Sequence, residues 1–236
     1  MRVPAAVGVV IPARDEEVLL PACLDAVDGA VSVLREEHPT ILARVFVVLD
    51  ACGDRSAEIV AGRPEVTAIV TQAGNVGVAR ALGVAAAADW ALALGVGSGT
   101  GSLWVANTDS DSVVPRHWLR SQVRMAGEGR RLVAGNVVPR ASDLTTEELE
   151  QWRARHSSAD GHAHVHGANL GFTWDAYESV GGFAPIATHE DVELVGAMRR
   201  AGFDWIAAGD IAVTTSGRRV ARAPGGFADY LEDMGA

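Results

Sequence analysis

The stretch LWVANTDSDSVVP (Leu103–Pro115) carries the reading from which the rest of the chain follows. Leu103–Ala106 is an apolar run too short for a helix, and it reads as a strand covered on both faces. Two aspartates one residue apart, Asp109 and Asp111, come directly after it. Ser112, followed by Val113, Val114 and Pro115, reads as the start of a helix, with serine as cap and proline in the first turn. The aspartates are therefore either turn residues or a pair that holds a cation.

The same pattern recurs on the N-terminal side. Ala6–Ile11 (AVGVVI), Val45–Leu49 (VFVVL) and Thr67–Val70 (TAIV) are further continuous apolar runs. Between them, Pro21–Leu34 and Val78–Leu94 place apolar residues at helical spacing. Strand–helix alternation of this kind predicts an α/β fold, Rossmann-like, with a mainly parallel sheet. Gly95–Gly101 (GVGSGTG) has glycines at nucleotide-loop spacing but precedes a strand and opens no helix, so it reads as a connection. Beyond Pro115 the pattern is less regular. RRLVAGNVV (Arg130–Val138) reads as a strand, Thr146–Ser157 as a polar helix, and Asp191–Gly202 as a helix closed by glycine. DWIAAGDIAVTT (Asp204–Thr215) suggests a short strand or two.

With 236 residues, no internal repeat and no linker, the chain is expected to form one domain. No apolar run reaches the roughly 20 residues needed to cross a bilayer, so no transmembrane segment is expected. The formal net charge of −10 argues against a nucleic-acid partner. All 20 basic residues are arginine, which excludes lysine chemistry such as a Schiff base. Cys23 and Cys52 lie in separate segments without metal spacing and suit a reducing cytoplasm.

Three predicted strands run straight into acids: Asp15, Asp50, and the pair Asp109 and Asp111. Ligands of open parallel sheets bind at the carboxyl ends of the strands. Acids gathered there repel one another unless something positive joins them, and a divalent cation bridging a phosphorylated ligand is the simplest remedy.

Five segments in order carry a resemblance: VVIPARDEEVLLPACLDAV, VFVVLDACGDRS, GNVGVARALG, VANTDSDSVVP, and HGANLGFTWDAYESVGGF followed by HEDVELVGAMRRAGF. Across roughly residues 5–215 the chain resembles the family 2 glycosyltransferases of the GT-A fold, inverting type. The resemblance implies a nucleotide-sugar-binding half over residues 1–112, its sheet flanked by helices, and a smaller acceptor half of mixed structure over 113–236 ending in a flexible tail. Pro12, Ala13, Arg14 and Glu16 would border the nucleotide of a UDP- or GDP-sugar, Asp50 would face its base, and Arg80 would approach the nucleotide. Asp109 and Asp111 match the family's D-x-D pair, Asp111 on the metal and Asp109 on metal and donor. Asp191 matches the general base, Glu190 a residue that orients the acceptor, and His166, Gly167 and Asn169 the acceptor-facing region. Many relatives carry two acids where this chain has Leu49 and Asp50, so the base stays open. Some supply a late histidine to the metal, and VTTSGRR (Val213–Arg219) has none.

The chemistry asks for these residue types. A metal on Asp111, Mn2+ or Mg2+, would stabilise the leaving diphosphate as a Lewis acid. One carboxylate would then take the proton of the attacking hydroxyl, and back-side attack inverts the anomeric carbon. Competing readings stay open at this point. Asp191 also fits a capping box with Thr188. His162, His164 and His166 alternate, so on a strand they would face one side, as in a zinc site. Trp174 and Tyr177 at helical spacing read as packing. Arg218, Arg219 and Arg222 form a basic patch suited to a diphosphate or an acidic acceptor, with Gly225 and Gly226 as a hinge. The alternative functions are a sugar-phosphate nucleotidyltransferase, which the absent lysine disfavours, and a non-catalytic nucleotide-sugar-binding protein. The acceptor and the oligomeric state are left undetermined.

Overall fold

The computed structural model describes residues 3–97, 99–155, 160–162 and 164–218. The expectations placed on Arg219, Arg222, Gly225 and Gly226 fall outside these residues, as does the end of the polar helix predicted to reach Ser157.

One sheet of eight strands runs through the molecule in the order β3-β2-β1-β4-β7-β6-β8-β5. Strands β1 (Ala6–Ala13), β2 (Leu42–Asp50), β3 (Val66–Thr71) and β4 (Leu103–Asn107) pair in parallel. The apolar runs of β1, β2 and β4 are continuous because both their faces are covered, whereas β3, at the sheet edge, is partly exposed, with Val70 open to solvent. Helix α1 (Leu20–Glu37) lies on one side, its buried Leu20, Leu24, Val27, Val31 and Leu34 facing the core. Helix α2 is Ser56–Ala61. Helix α3 (Val76–Ala93) is capped by Asn75, whose side chain accepts from the Val78 amide at 3.0 Å.

Beyond β4 the sheet changes direction. Strand β7 (Leu170–Thr173) runs antiparallel to β4 and to β6 (Leu132–Pro139), while β6 runs parallel to β8 (Trp205–Thr215). The sheet is mainly parallel, as expected from the sequence: four of the seven pairings are parallel, and the antiparallel ones all involve strands beyond β4. Helices α4 (Trp118–Gly127), α5 (Thr146–Arg155), α6 (Trp174–Ser179) and α7 (Glu190–Arg200) complete the order.

Four expectations are corrected. Ser112 does not start a helix: Ser112–Val113 form a two-residue strand, β5, antiparallel to Thr214–Thr215 of β8, and α4 begins only at Trp118. Asp204–Thr215 holds one strand of 11 residues, Trp205–Thr215, not short pieces. Thr188 does not cap α7; the cap position is His189, in the left-handed region at φ +65°, with no side-chain cap bond. Finally, α3 is itself long and apolar enough to cross a membrane, with a mean hydropathy of 1.4 over 18 residues. It packs instead on β1 and β2 and carries a buried arginine.

Tyr177 is a packing residue, its ring stacked on Phe172 at 4.9 Å and its hydroxyl accepting from the Phe183 amide.

Candidate active site

The acids at the strand ends meet the start of α7 around Arg80. Helix α3 brings this arginine in because its first turn touches the loop before α7. The Gly77 amide donates to the Ile186 carbonyl at 3.2 Å, and a Cβ on Gly77 would lie 2.1 Å from the Ala184 carbonyl oxygen. One turn on, Arg80 Nε donates to Glu190 Oε1 at 3.0 Å and Nη2 to Asp109 Oδ1 at 2.6 Å. Arg80 is 2 % exposed, and its Nη1 has no hydrogen-bond partner among the described residues. Burial works against its charge, but Asp109, Glu190 and Asp191 outweigh that and hold its pKa above the ordinary arginine value. Burial pushes Glu190 up from the usual carboxylate range, and Arg80 opposes it.

Asp191 faces the same arginine from the first turn of α7. Its Oδ2 accepts from the Gly167 amide at 2.6 Å and its Oδ1 from the Val192 amide at 2.8 Å. Gly167 is fixed in turn: a Cβ there would sit 2.4 Å from Arg80 Nη2. Asp109, Glu190 and Asp191 are therefore joined through one guanidinium and one glycine.

A second cluster forms around Asp111, which is 9 % exposed. Its Oδ1 accepts from the hydroxyls of Thr215 and Ser112, at 3.2 and 3.3 Å. Its Oδ2 lies 2.8 Å from Arg218 Nη2, and Arg218 Nη1 lies 2.6 Å from Glu16 Oε1. Burial, then repulsion from Asp109, pushes the Asp111 carboxyl up to about 6, with Arg218 acting against both. These carboxylates are hard oxygen donors of the kind a divalent ion takes, and a cation, the guanidinium, already stands between two of them. The site therefore fits a divalent metal on Asp111, with Asp109 beside it. Beneath the pair, the Cys23 thiol donates to the Asp109 carbonyl oxygen at 3.3 Å, and burial pushes its pKa upward.

The remaining expected residues fall as follows. Asp50 is buried, and its two oxygens accept from the Gly74 and Asn75 amides at 2.8 Å each, so it braces the loop ahead of α3. Arg14 is exposed, Pro12 partly buried, and Ala13 and Glu16 buried at the end of β1. Asp15, at φ +51°, accepts from the Gly53 amide and ties the β1 loop to the β2 loop.

The placement of Asn169 is corrected. It is fully buried, its Nδ2 donating to the Asn136 and Ile211 carbonyls at 2.8 and 2.6 Å and its Oδ1 accepting from Trp118 Nε1 at 2.9 Å. No face of the side chain is left for an acceptor. His166 is half-buried and precedes the short helical turn Gly167–Asn169.

His162, His164 and His166 do share one side, but as a ladder of near-parallel rings 6.0 and 6.1 Å apart. Stacked rings at this spacing do not converge on one ion. Among the described residues, the converging group of potential ligands is Asp15, Cys52 and Asp54, and both acids already accept loop amides.

Arg218, read from the sequence as part of a basic patch for a diphosphate or an acidic acceptor, pairs in the structure with Glu16 and Asp111. The arginine-rich tail was its signal, but its partners lie in the first and fourth strand-end loops.

The sequence model of the family described as glycosyl transferase family 2 matches residues 8–173. No curated protein sequence matches the chain. Among solved structures, residues 1–349 of TarS from S. aureus align over 90 % of this chain and 61 % of that one, at 13 % identity and a TM-score of 0.62. The mannosyltransferase PcManGT from Pyrobaculum calidifontis, in complex with GDP-Man and Mn2+, aligns over 90 % and 57 %, at 20 % identity and 0.57. Glucosyl-3-phosphoglycerate synthase from Mycobacterium tuberculosis, with Mn2+, UDP and phosphoglyceric acid, aligns over 84 % and 66 %, at 17 % identity and 0.52. At these identities the likeness is one of fold. The chain spans about three-fifths of the length of the first two.

Proposed function

The chain belongs to glycosyl transferase family 2 and has the GT-A fold, and from that premise we propose that it moves a sugar from a nucleotide diphosphate, UDP- or GDP-linked, to an acceptor hydroxyl with inversion. The observation that carries this reading is the buried Arg80, which ties Asp109 on the strand-end side to Glu190 at the start of α7. Residues 1–112 form the donor half and 113–236 the acceptor half.

Asp191 is the general base. The amides of Gly167 and Val192 hold its two oxygens and fix its orientation. The attacking hydroxyl becomes more acidic as its bond to the anomeric carbon forms, so its proton moves to Asp191 with the attack. Glu190 orients the acceptor and is itself held by Arg80. Asp111, with Asp109, would hold Mn2+ or Mg2+, which supplies Lewis-acid stabilisation of the leaving diphosphate. His166 and Gly167 line the acceptor side. The two free thiols favour a reducing compartment, the cytoplasm.

A thermal-shift comparison of UDP and GDP with Mn2+ or Mg2+ tests the donor class, since a ligand of the native state raises its melting temperature. The anomeric configuration of the product, read by NMR, tests inversion.

A further inference from the structure

Two arginines serve the site, and they differ in freedom. Arg80 is locked: its side chain is 3 % exposed, and Gly167 lies against it. Arg218 stands three residues past the end of β8, with its side chain 28 % exposed. Its partners Glu16 and Asp111 are 4 % and 11 % exposed. Two carboxylates so placed draw a cation between them, and here the chain supplies it, one guanidinium nitrogen to each.

A divalent ion at the site would draw on the same Asp111. One oxygen of that carboxylate takes the Thr215 and Ser112 hydroxyls, and the other takes Arg218. With both hydroxyls on Oδ1, metal and guanidinium would crowd two cations onto Oδ2, where they repel one another. A guanidinium released from it needs a new anionic partner, and its planar fork suits the paired oxygens of a diphosphate as well as it suits two carboxylates.

We propose that Arg218 is a donor-binding residue that holds the cation position between Glu16 and Asp111 in the free protein, then exchanges Asp111 for the diphosphate when nucleotide and metal enter. The inference rests on the reading of the site as a nucleotide-sugar site. It makes the two ligands mutually dependent: metal alone must displace Arg218 from Asp111, whereas metal arriving with a diphosphate gives the guanidinium a partner. Binding of each then strengthens the other.

The test is calorimetric titration of Mn2+ alone, and of UDP and GDP with and without Mn2+, into the wild-type chain, Arg218→Gln and Arg218→Lys. Arg218→Gln is expected to bind Mn2+ alone on the order of tenfold more tightly and the nucleoside diphosphate on the order of tenfold more weakly, a change of one factor of ten in each constant. Arg218→Lys keeps the charge and loses the fork. It should compete with Mn2+ much as the wild type does, yet hold the diphosphate less well. Far-UV circular dichroism checks the fold, and if Arg218→Gln does not fold, the lysine variant carries the test alone. An unchanged affinity for Mn2+ in Arg218→Gln, or for the diphosphate in either variant, overturns the proposal. If the wild-type chain binds neither UDP nor GDP under any condition, the glycosyltransferase reading fails. If it binds one of them and the variants bind identically, only the role of Arg218 fails.

Discussion

Arg80 Nε lies 3.0 Å from Glu190 Oε1, and neither side chain is more than 6 % exposed. An ion pair so removed from water is held by its geometry, because each partner alone would be a buried, uncompensated charge. The arginine also reaches Asp109. Arg80→Met therefore strands Glu190 in the interior and takes the partner from the more exposed Asp109. It should lower unfolding free energy by about 3 kcal/mol, read by urea denaturation, and abolish transfer in the fraction that stays folded. A loss below 1 kcal/mol would show that the pair carries no such weight.

Gly167→Ala tests the contact between the acceptor loop and this arginine. The added methyl would meet Arg80 Nη2 at 2.4 Å, and Arg80 is already fixed by two carboxylates. The expected cost is about 1–3 kcal/mol of stability, with a fall in kcat because the amide that orients Asp191 moves as well. A variant with wild-type kcat would place that amide outside the machinery.

Asn169→Ala separates a structural strut from a substrate contact. Three buried hydrogen bonds disappear with the side chain. Unfolding free energy should fall by about 2 kcal/mol or more, while KM for the acceptor in the folded enzyme stays near the wild-type value. A raised KM without lost stability would restore Asn169 to the acceptor site.

The pH dependence follows from Glu190, whose pKa burial raises above the ordinary 4.5. The native state then holds this proton more firmly than the unfolded chain does. The stability Glu190 contributes is fully present below its unfolded pKa and is lost as pH rises through the folded one. Compared with Glu190→Gln by urea denaturation, the wild type should lose its relative advantage as pH climbs past 4.5. A difference that stays flat across that range would contradict the shift.

Much of the fold was legible because covered parallel strands leave an unambiguous trace. Val45–Leu49 and Leu103–Ala106 are strands in the sequence reading and in the structure alike. The placement of Asp50, Asp109 and Asp111 at strand ends followed from the same runs. What escaped was decided by partners far away in the chain. Ser112 has good helix-start chemistry, but Thr215 pairs with it across β5 and β8. Asp191 has capping-box spacing, but the Gly167 amide takes its Oδ2. Asn169 looked like a polar residue in a functional loop, and the sheet buried it under Trp118. Local propensity says which bonds a side chain can make; the tertiary fold decides which it does.

The central claim is that Asp191 removes the acceptor proton in transfer from a sugar nucleotide, and Asp191→Asn against the wild type tests it most directly. Both are assayed for nucleoside diphosphate release from a panel of UDP- and GDP-sugars with Mn2+, and for donor affinity by calorimetry. The account predicts that the wild type consumes at least one donor, and that Asp191→Asn binds it with unchanged Kd but turns it over about 100- to 10,000-fold more slowly. Retained turnover in Asp191→Asn, or no donor consumed by the wild type, would contradict it.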